Sequence, residues 1–536
     1  MEKNDKNDKK PRKHNLHDQE ERRLLLKRGK RGLLHFIFGR SMIVLLTLAL
    51  QIALLALAFT RVQSMLPYYY LTTLVLDVGM ILHQVNKTSE PFTKITWILL
   101  VVLAPPVGLA LYLFVELEIG HRVINRRLSE VIAETAALLP GPEPITGPAV
   151  DAAPELEGLS RYTWDHGNYY ACPNTAVKYL DSGEASLEAM IDDLRTAEHF
   201  IFLEFFIIDE GYMWGRVLKV LEDKVKAGVE VRVMYDGTCA LFRLPYRYPE
   251  MLEKLGIQCK MFSPIRPMIS AHYNNRDHRK IMVVDGRVAY TGGVNLSDEY
   301  VNRVERYGHW KDVSLRLEGE AVRAFTLMFL RMWNVNEKGD DYARYLDVPA
   351  NVAAPGWVLP YGDSPLDNER LGELVYTDIL NRARRYVHIM TPYLILDNEM
   401  MTALTFAAKR GVEVCVLLPH IPDKKYAFAL AKTHYRDLLQ AGVRIFEYTP
   451  GFVHAKVFVS DDCKAVVGTI NLDYRSFYLH FECAAYLRDM PAVMDVERDF
   501  QATVQKCWEV HMEDLKNIPL TTRAVGWLLK VFAPVM

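Results

Sequence analysis

The sequence predicts an α/β protein built as two tandem α/β domains related by a pseudo-twofold axis and preceded by transmembrane helices. Three observations predict this. The chain runs one programme of strands and helices twice. The octet H-x-K-x-x-x-x-D closes each pass, as His278, Lys280 and Asp285 and again as His454, Lys456 and Asp461. An uncharged apolar run lies ahead of both.

From the amino terminus, residues 1–40 carry the runs "KKPRK" and "RRLLLKRGKR" and read as a basic arm suited to lie beside anionic lipid. Residues 41–116 read as a membrane anchor. The run "SMIVLLTLALQIALLALAFT", at 41–60, has the length needed to cross a hydrocarbon core of about 30 Å. A second span, 62–82, contains Pro67 and Asp77, and a third, 95–115, is uncharged with Pro105 and Pro106 at its middle. The implied location is the cell membrane, multi-pass. A cytoplasmic arm followed by three crossings would place the rest of the chain outside. Arg122, Arg126 and Arg127 pull the end of the anchor inward, and two crossings would satisfy them, so the sequence is compatible with either side. Residues 117–158, with "LLPGPEPITGPAVDAAPELEG" at 138–158, read as a linker.

The two passes occupy 159–345 and 346–536. The first holds the apolar strand "HFIFLEFFIID", a helix ending in "KVKAGVEVRVMYDG", the helix "YPEMLEKLGIQCKMF" and the His278 octet. The second holds "RYVHIMTPYLILD", "ALTFAAKRGVEVCVLLP", "YRDLLQAGVRIFEY" and the His454 octet. Strands alternating with amphipathic helices that stop at glycine describe α/β units with a mixed or parallel sheet. With 64 basic against 66 acidic residues, the chain lacks the charge of a nucleic-acid binder. Its seven cysteines are scattered without a C-x-x-C spacing, so neither a zinc site nor a disulfide framework is expected.

Placement gives the chemistry. His278 and Lys280 lie two apart, so on a strand their side chains share a face, and the same holds for His454 and Lys456. If the halves meet along these edges, two imidazoles and two ammonium groups converge on one pocket. Histidine serves as nucleophile or as acid and base near neutral pH, and two fixed lysines suit a phosphodiester.

The paired octets resemble those of the phospholipase D superfamily. The surrounding "NNRDHRKIMVVDGRVAYTGGVNLSDEY" and "PGFVHAKVFVSDDCKAVVGTINLDYRSFYLHFE", with "TPYLILD", "LLPHIPDKKY" and "TWILLVVLAPPVGLALYLFVE", are similar to bacterial cardiolipin synthases. The resemblance implies two tandem phospholipase D-like domains and a double displacement with no cofactor and no metal. It implies His278 as the nucleophile, giving a phosphatidyl-histidine, and His454 as the acid and base. Lys280, Lys456, Asn295 and Asn471 would hold the phosphate oxygens, although both asparagines also suit the glycine-containing turns they follow. Glu482 would orient His278 and Asp312 would orient His454, each acid reaching across from the other half. Asp285 and Asp461 complete the catalytic octets and are expected to brace them rather than touch substrate. The implied partners are phosphatidylglycerol and cardiolipin in the membrane, with no nucleic acid. A hydrolase of the phospholipase D type, a phosphatidylserine synthase and, with less support, a nuclease of the same superfamily are the alternatives.

Overall fold

The computed structural model describes residues 69–535 apart from short breaks at 105–106, 117–118, 143–144, 146–153, 246, 266–273, 338–339, 349–351 and 368, together with scattered positions between 49 and 61. In the first half the strands are β1 (Thr175–Leu180), β2 (Phe200–Phe205), β3 (Glu230–Asp236), β4 (Gln258–Phe262), β5 (Arg276–Asp277), β6 (Lys280–Val284), β7 (Val288–Gly292), β8 (His309–Lys311) and β9 (Ser314–Gly319). The second half contributes β10 (Trp357–Asp363), β11 (Tyr386–Met390), β12 (Leu394–Ile395), β13 (Glu413–Pro419), β14 (Arg444–Tyr448), β15 (Gly451–Val453), β16 (Val457–Ser460), β17 (Lys464–Gly468), β18 (Leu472–Asp473), β19 (His480–Arg488) and β20 (Cys507–Val510).

The first sheet runs β1-β9-β7-β6-β2-β3-β4 and the second β10-β19-β17-β16-β11-β13-β14-β20, so the same strand order recurs with β20 added at one edge. In each sheet three strands are parallel, β2-β3-β4 and β11-β13-β14, and the hairpin carrying the octet lies antiparallel beside them. The near-identical "KAGVEVRV" and "KRGVEVCV" mark the same turn in both. Gly228 and Gly411 take φ of +89° and +93° in open space, so it is the left-handed backbone and not crowding that requires glycine after the helices Tyr212–Lys226 and Asn398–Lys409.

Each sheet is covered outside by helices and inside by its twin. Phe202, Ile281, Ala289 and Leu315 of the first sheet share one core with Met390, Leu417, Val457 and Ala485 of the second, together with the helices Val322–Trp333 and Pro491–Val504. This largely apolar inner face, together with the helices outside, explains why strands such as β6, "KIMVV", are buried at every position rather than alternating.

Two short parallel ladders cross between the halves. β5 pairs with the start of β19, His480 opposite Arg276 and Phe481 opposite Asp277, while β15 pairs with β8, Phe452 opposite Trp310 and Val453 opposite Lys311. The ladders are pseudo-twofold equivalents. Each joins the strand just before a motif histidine to the residues just before the other half's Glu482 or Asp312.

The amino-terminal region departs from the expected anchor. Among the described residues no helix is long and apolar enough to cross a membrane, and a multi-pass arrangement is not supported. The 41–60 run lies mostly outside the described residues. Within 62–82 the described helix is Tyr69–Asn86, and the expected span 95–115 is two helices, Pro91–Leu103 and Val107–Glu116. Continuous helix would hold Trp97 and Tyr112 about 22 Å apart, yet their rings meet edge to face at 5.4 Å. The two helices fold back on each other, a break that the sequence pair Pro105-Pro106 favours, and Gly108 lies so close to the Leu100 carbonyl that a Cβ would fall 2.3 Å from its oxygen. Within 117–158, read as linker, Ile119–Ala136 is helical and docks on the first half. Leu128 and Val131 enter the shared core, and Thr135 accepts a hydrogen bond from Arg331 Nε at 2.9 Å.

Candidate active site

The crossed ladders position the histidines. The His278 backbone N–H donates to the Phe481 carbonyl at 2.9 Å, and that of His454 to the Lys311 carbonyl at 2.7 Å, so each histidine is fixed one residue short of the opposite half's acid. The side chains complete the register. His278 Nδ1 lies 2.9 Å from both Glu482 carboxylate oxygens, and His454 Nδ1 lies 2.7 Å from Asp312 Oδ2. A carboxylate only accepts, so each Nδ1 carries the proton and each Nε2 keeps its lone pair. The expected crossing, Glu482 with His278 and Asp312 with His454, is what these contacts form.

The acids are held differently in the two halves. Gly293 has no room for a side chain because the Asp312 carboxylate occupies the place of its Cβ, an approach of 2.0 Å. The equivalent residue of the second half is Thr469, whose hydroxyl donates to Glu482 Oε2. Beneath His278, a buried ion cluster of Arg279 with Glu204 and Asp277 anchors the junction of β5 and β6.

Both motif lysines are buried, and each ammonium donates to the carbonyl of its own histidine; Lys456 Nζ also lies 3.0 Å from His454 Nδ1. The motif aspartates, read as completing the catalytic octets and bracing them, are engaged by backbone N–H groups at the far ends of their strands. Asp285 takes a φ of +51° at the far end of β6 and accepts the backbone N–H groups of Glu198, His199 and Phe200, each at 2.8 Å. Asp461, at φ +54°, accepts those of Arg384, Arg385 and Tyr386. The octet spacing is therefore set by a strand whose start carries the chemistry and whose end is tied to the neighbouring strand. Asn295 braces as well: its Oδ1 accepts from the Ile207 N–H at 2.9 Å and its amide donates to the Tyr300 hydroxyl at 2.7 Å. Asn471 is held through its backbone N–H to Ser476 Oγ, and its buried Oδ1 has no partner among the described residues.

Burial and like charge govern the titration. Burial, reinforced by the charges of Lys280, Lys456 and His454, holds His278 well below its ordinary pKa. Burial and the adjacent Lys456 lower His454 to about 4. Burial lowers Lys280 to about 8 and Lys456 to about 7, the latter helped by the charge of Lys280. Burial pushes Asp312 up, but His454 and Lys456 together outweigh it and hold the carboxyl below its usual range. The charges of Lys456 and His454 act on His278 and that of Lys280 acts on His454 and Lys456, so the motif residues of both halves form one electrostatic cluster. At neutral pH it holds two neutral imidazoles and lysines poised to lose or keep a proton.

Sequence reasoning missed His480 and Arg475. His480 stacks obliquely 5.4 Å from His278; burial lowers its pKa to about 3, and its Nε2 accepts from Arg475 Nε at 3.2 Å. The pseudo-twofold places Trp310 here in the first half, 5.2 Å from His454. A search for repeated residues passes over a position that the repeat fills differently; only its place two residues before an orienting acid could have drawn notice. His278, His480 and Glu482 present ligand atoms within 4.8 Å of one another, a set able to hold a metal ion. An ion there would take Glu482 from His278 and add a cation beside Lys280 and Lys456, which argues that it would inhibit.

Comparison with known proteins places this geometry. A family model described as cardiolipin synthase, PLD-like domain matches residues 190–333 and 376–504, and one described as phospholipase D-nuclease N-terminal matches 75–116. A cardiolipin synthase of Geobacillus kaustophilus is 30% identical over 86% of this chain and 92% of its own length. A protein of Streptococcus mutans without an assigned function is 47% identical over 86% of this chain and 100% of its own. The crystal structure of a phosphatidylserine synthase from Haemophilus influenzae superposes with a TM-score of 0.53 at 15% identity, covering 70% of this chain and 98% of that one, which supports the fold.

Two predictions follow from the roles of these side chains. Asp285→Ala leaves three backbone donors without acceptors and should lower the unfolding free energy by about 3 kcal/mol, while turnover per folded molecule stays within about tenfold. Glu482→Gln should do the reverse, costing roughly 10²- to 10⁴-fold in kcat with little change in the urea midpoint. A matching loss of activity in the two folded variants would contradict the division. The second concerns pH. Phosphate binding needs charged ammonium groups, so kcat/KM should fall as pH rises through the region set by Lys456, about 7, and Lys280, about 8. A profile flat to pH 9 would show that these lysines keep their ordinary basicity.

Proposed function

Because the chain belongs to the cardiolipin synthase family of phospholipase D-like phosphatidyltransferases, we propose that it joins two phosphatidylglycerol molecules into cardiolipin and releases glycerol, through a phosphatidyl-histidine intermediate. The observation that carries this reading is the pair of buried, neutral histidines, each with Nδ1 held by the opposite half's carboxylate and Nε2 free to react.

In the first step His278 Nε2 attacks phosphorus, the N–P bond forms, and the P–O bond to the departing glycerol breaks as His454 supplies its proton. In the second, His454 takes the proton of an incoming phosphatidylglycerol hydroxyl, the new O–P bond forms, and the N–P bond breaks. The assignment of roles follows the family resemblance and is compatible with the electrostatics. Burial keeps both imidazoles neutral, as a nucleophile requires, and only His454 has the acid beside it, Asp312, acting to raise its affinity for a proton against that burial. An anionic phosphodiester between the two lysines adds the negative charge that raises His454 toward protonation, so a proton enters with the substrate. Lys280 and Lys456 oppose the charge that builds on the phosphate oxygens. The nucleophile, the proton and the positive charge all come from side chains, so no metal is needed.

The purified protein given only phosphatidylglycerol vesicles and a chelator should form cardiolipin with one free glycerol per molecule. Phosphatidic acid as the main product would identify a hydrolase instead. Silence until a nucleotide-activated lipid is added would identify a synthase with another donor.

A further inference from the structure

The helix Leu520–Phe532 shows solvent the wrong face. Its inner side docks on the helix Lys425–Ala441, where a Cβ on Gly526 would lie 2.5 Å from the Ala429 carbonyl oxygen, and Leu529 and Ala533 pack with Leu430 and Tyr474. Positions 520, 521, 524, 525 and 528 share the opposite side at a period of 3.6, and only Thr521 among them is polar. On that outer side Leu520 is 73% exposed, Leu528 63% and the neighbouring Trp527 61%. A helix facing water carries charge there.

The surface beside it is basic. A groove of about 460 Å³ between the two helices is lined by Lys432, Arg436, Lys516 and Arg523, with Trp527 and Met512 as apolar wall and no carboxylate. Lys432 is paired with Glu447 and Arg523 donates to the Leu515 and Lys516 carbonyls, so positive charge is left over. The apolar surface also continues beyond the helix. Thr96 Oγ1 donates to the Val531 carbonyl at 2.5 Å and ties the helix Pro91–Leu103 to the carboxyl-terminal one, and Ile95, Val102 and Leu103 on that neighbour are exposed in turn. A second copy docking through the same face would press the basic groove against itself, whereas an anionic lipid surface meets both the charge and the apolar face.

We infer that Leu520–Phe532 is an interfacial helix that sets Leu520, Val525, Trp527 and Leu528 into the acyl boundary of an anionic phospholipid bilayer, with the groove at Arg436, Lys516 and Arg523 receiving phosphate headgroups. Tryptophan at the boundary and cations at headgroup level are the arrangement such a surface favours. The inference does not depend on the reaction proposed above, though it would explain how the pocket is kept at its lipid substrates.

The test uses the full chain on phosphatidylglycerol vesicles with or without brominated acyl chains, compared with Trp527→Phe. The emission contributed by Trp527, read as the difference between the two proteins, should be quenched at least twofold by the brominated lipid and be shielded from aqueous iodide. Quenching by iodide instead would leave Trp527 in water and overturn the inference, and shielding from both would mean that protein covers it. Phosphatidylcholine vesicles should give weaker quenching by brominated lipid; equal quenching would remove the headgroup part. Leu520→Asp with Leu528→Asp should lower turnover on vesicles at least tenfold while sparing a soluble nitrophenyl phosphodiester, and equal loss on both would contradict a membrane role. The fluorescence requires no turnover, so a failure of the proposed reaction would leave it readable.

Discussion

Everything at the site depends on an exchange between the halves: the strand leading into each motif histidine is hydrogen-bonded to the strand leading into the other half's acid. A parallel ladder of two or three residues contributes little stability alone. Here it is locked by the apolar interface between the sheets, and it converts sheet register into side-chain register. A slip of one residue would turn Glu482 away from His278 and face the histidine with an apolar side chain. The site is thus a property of the interface and of neither half.

The same exchange sets the electrostatics. Lys280, Lys456, Asp312 and Glu482 are all buried, and charges taken out of water cost several kcal/mol each unless they are paired closely. The carboxylates are matched by imidazole N–H groups and by the lysines, but burial outweighs that pairing for both ammonium groups and, with the charge of Lys280 acting on Lys456, depresses their affinity for protons. Under the proposed reaction a phosphodiester would relieve this, and the transition state, with more charge on its oxygens, would relieve it further. Preorganised charge of this kind favours the transition state over the bound substrate.

How much of this was legible in the sequence differs from residue to residue. The octets could be read because the repeat printed them twice, and the strand-helix alternation around "GVEV" gave the fold. Membership in the cardiolipin synthase family, read from the residues around the octets, was borne out. The pairing of Glu482 with His278 was available only through resemblance, since a crossing between chain segments two hundred residues apart leaves no local pattern. His480 was invisible because the repeat puts Trp310 in its place. Hydropathy misread 95–115, for it counts apolar residues without asking whether Pro105 and Pro106 let them form one helix. Asp285 and Asp461, fixed in spacing like catalytic groups, owe that spacing to the length of a strand.

The most direct test of the account is to quench the His454→Ala protein during reaction with phosphatidylglycerol and locate any lipid-bearing histidine by mass spectrometry under alkaline conditions, where a phosphohistidine bond survives. With the second step disabled, a phosphatidyl group should be found on His278, and Glu482→Gln in the same protein should reduce its yield. An adduct on another residue, or product formed with no adduct at either histidine, would contradict a double displacement carried from one half of the molecule and completed by the other.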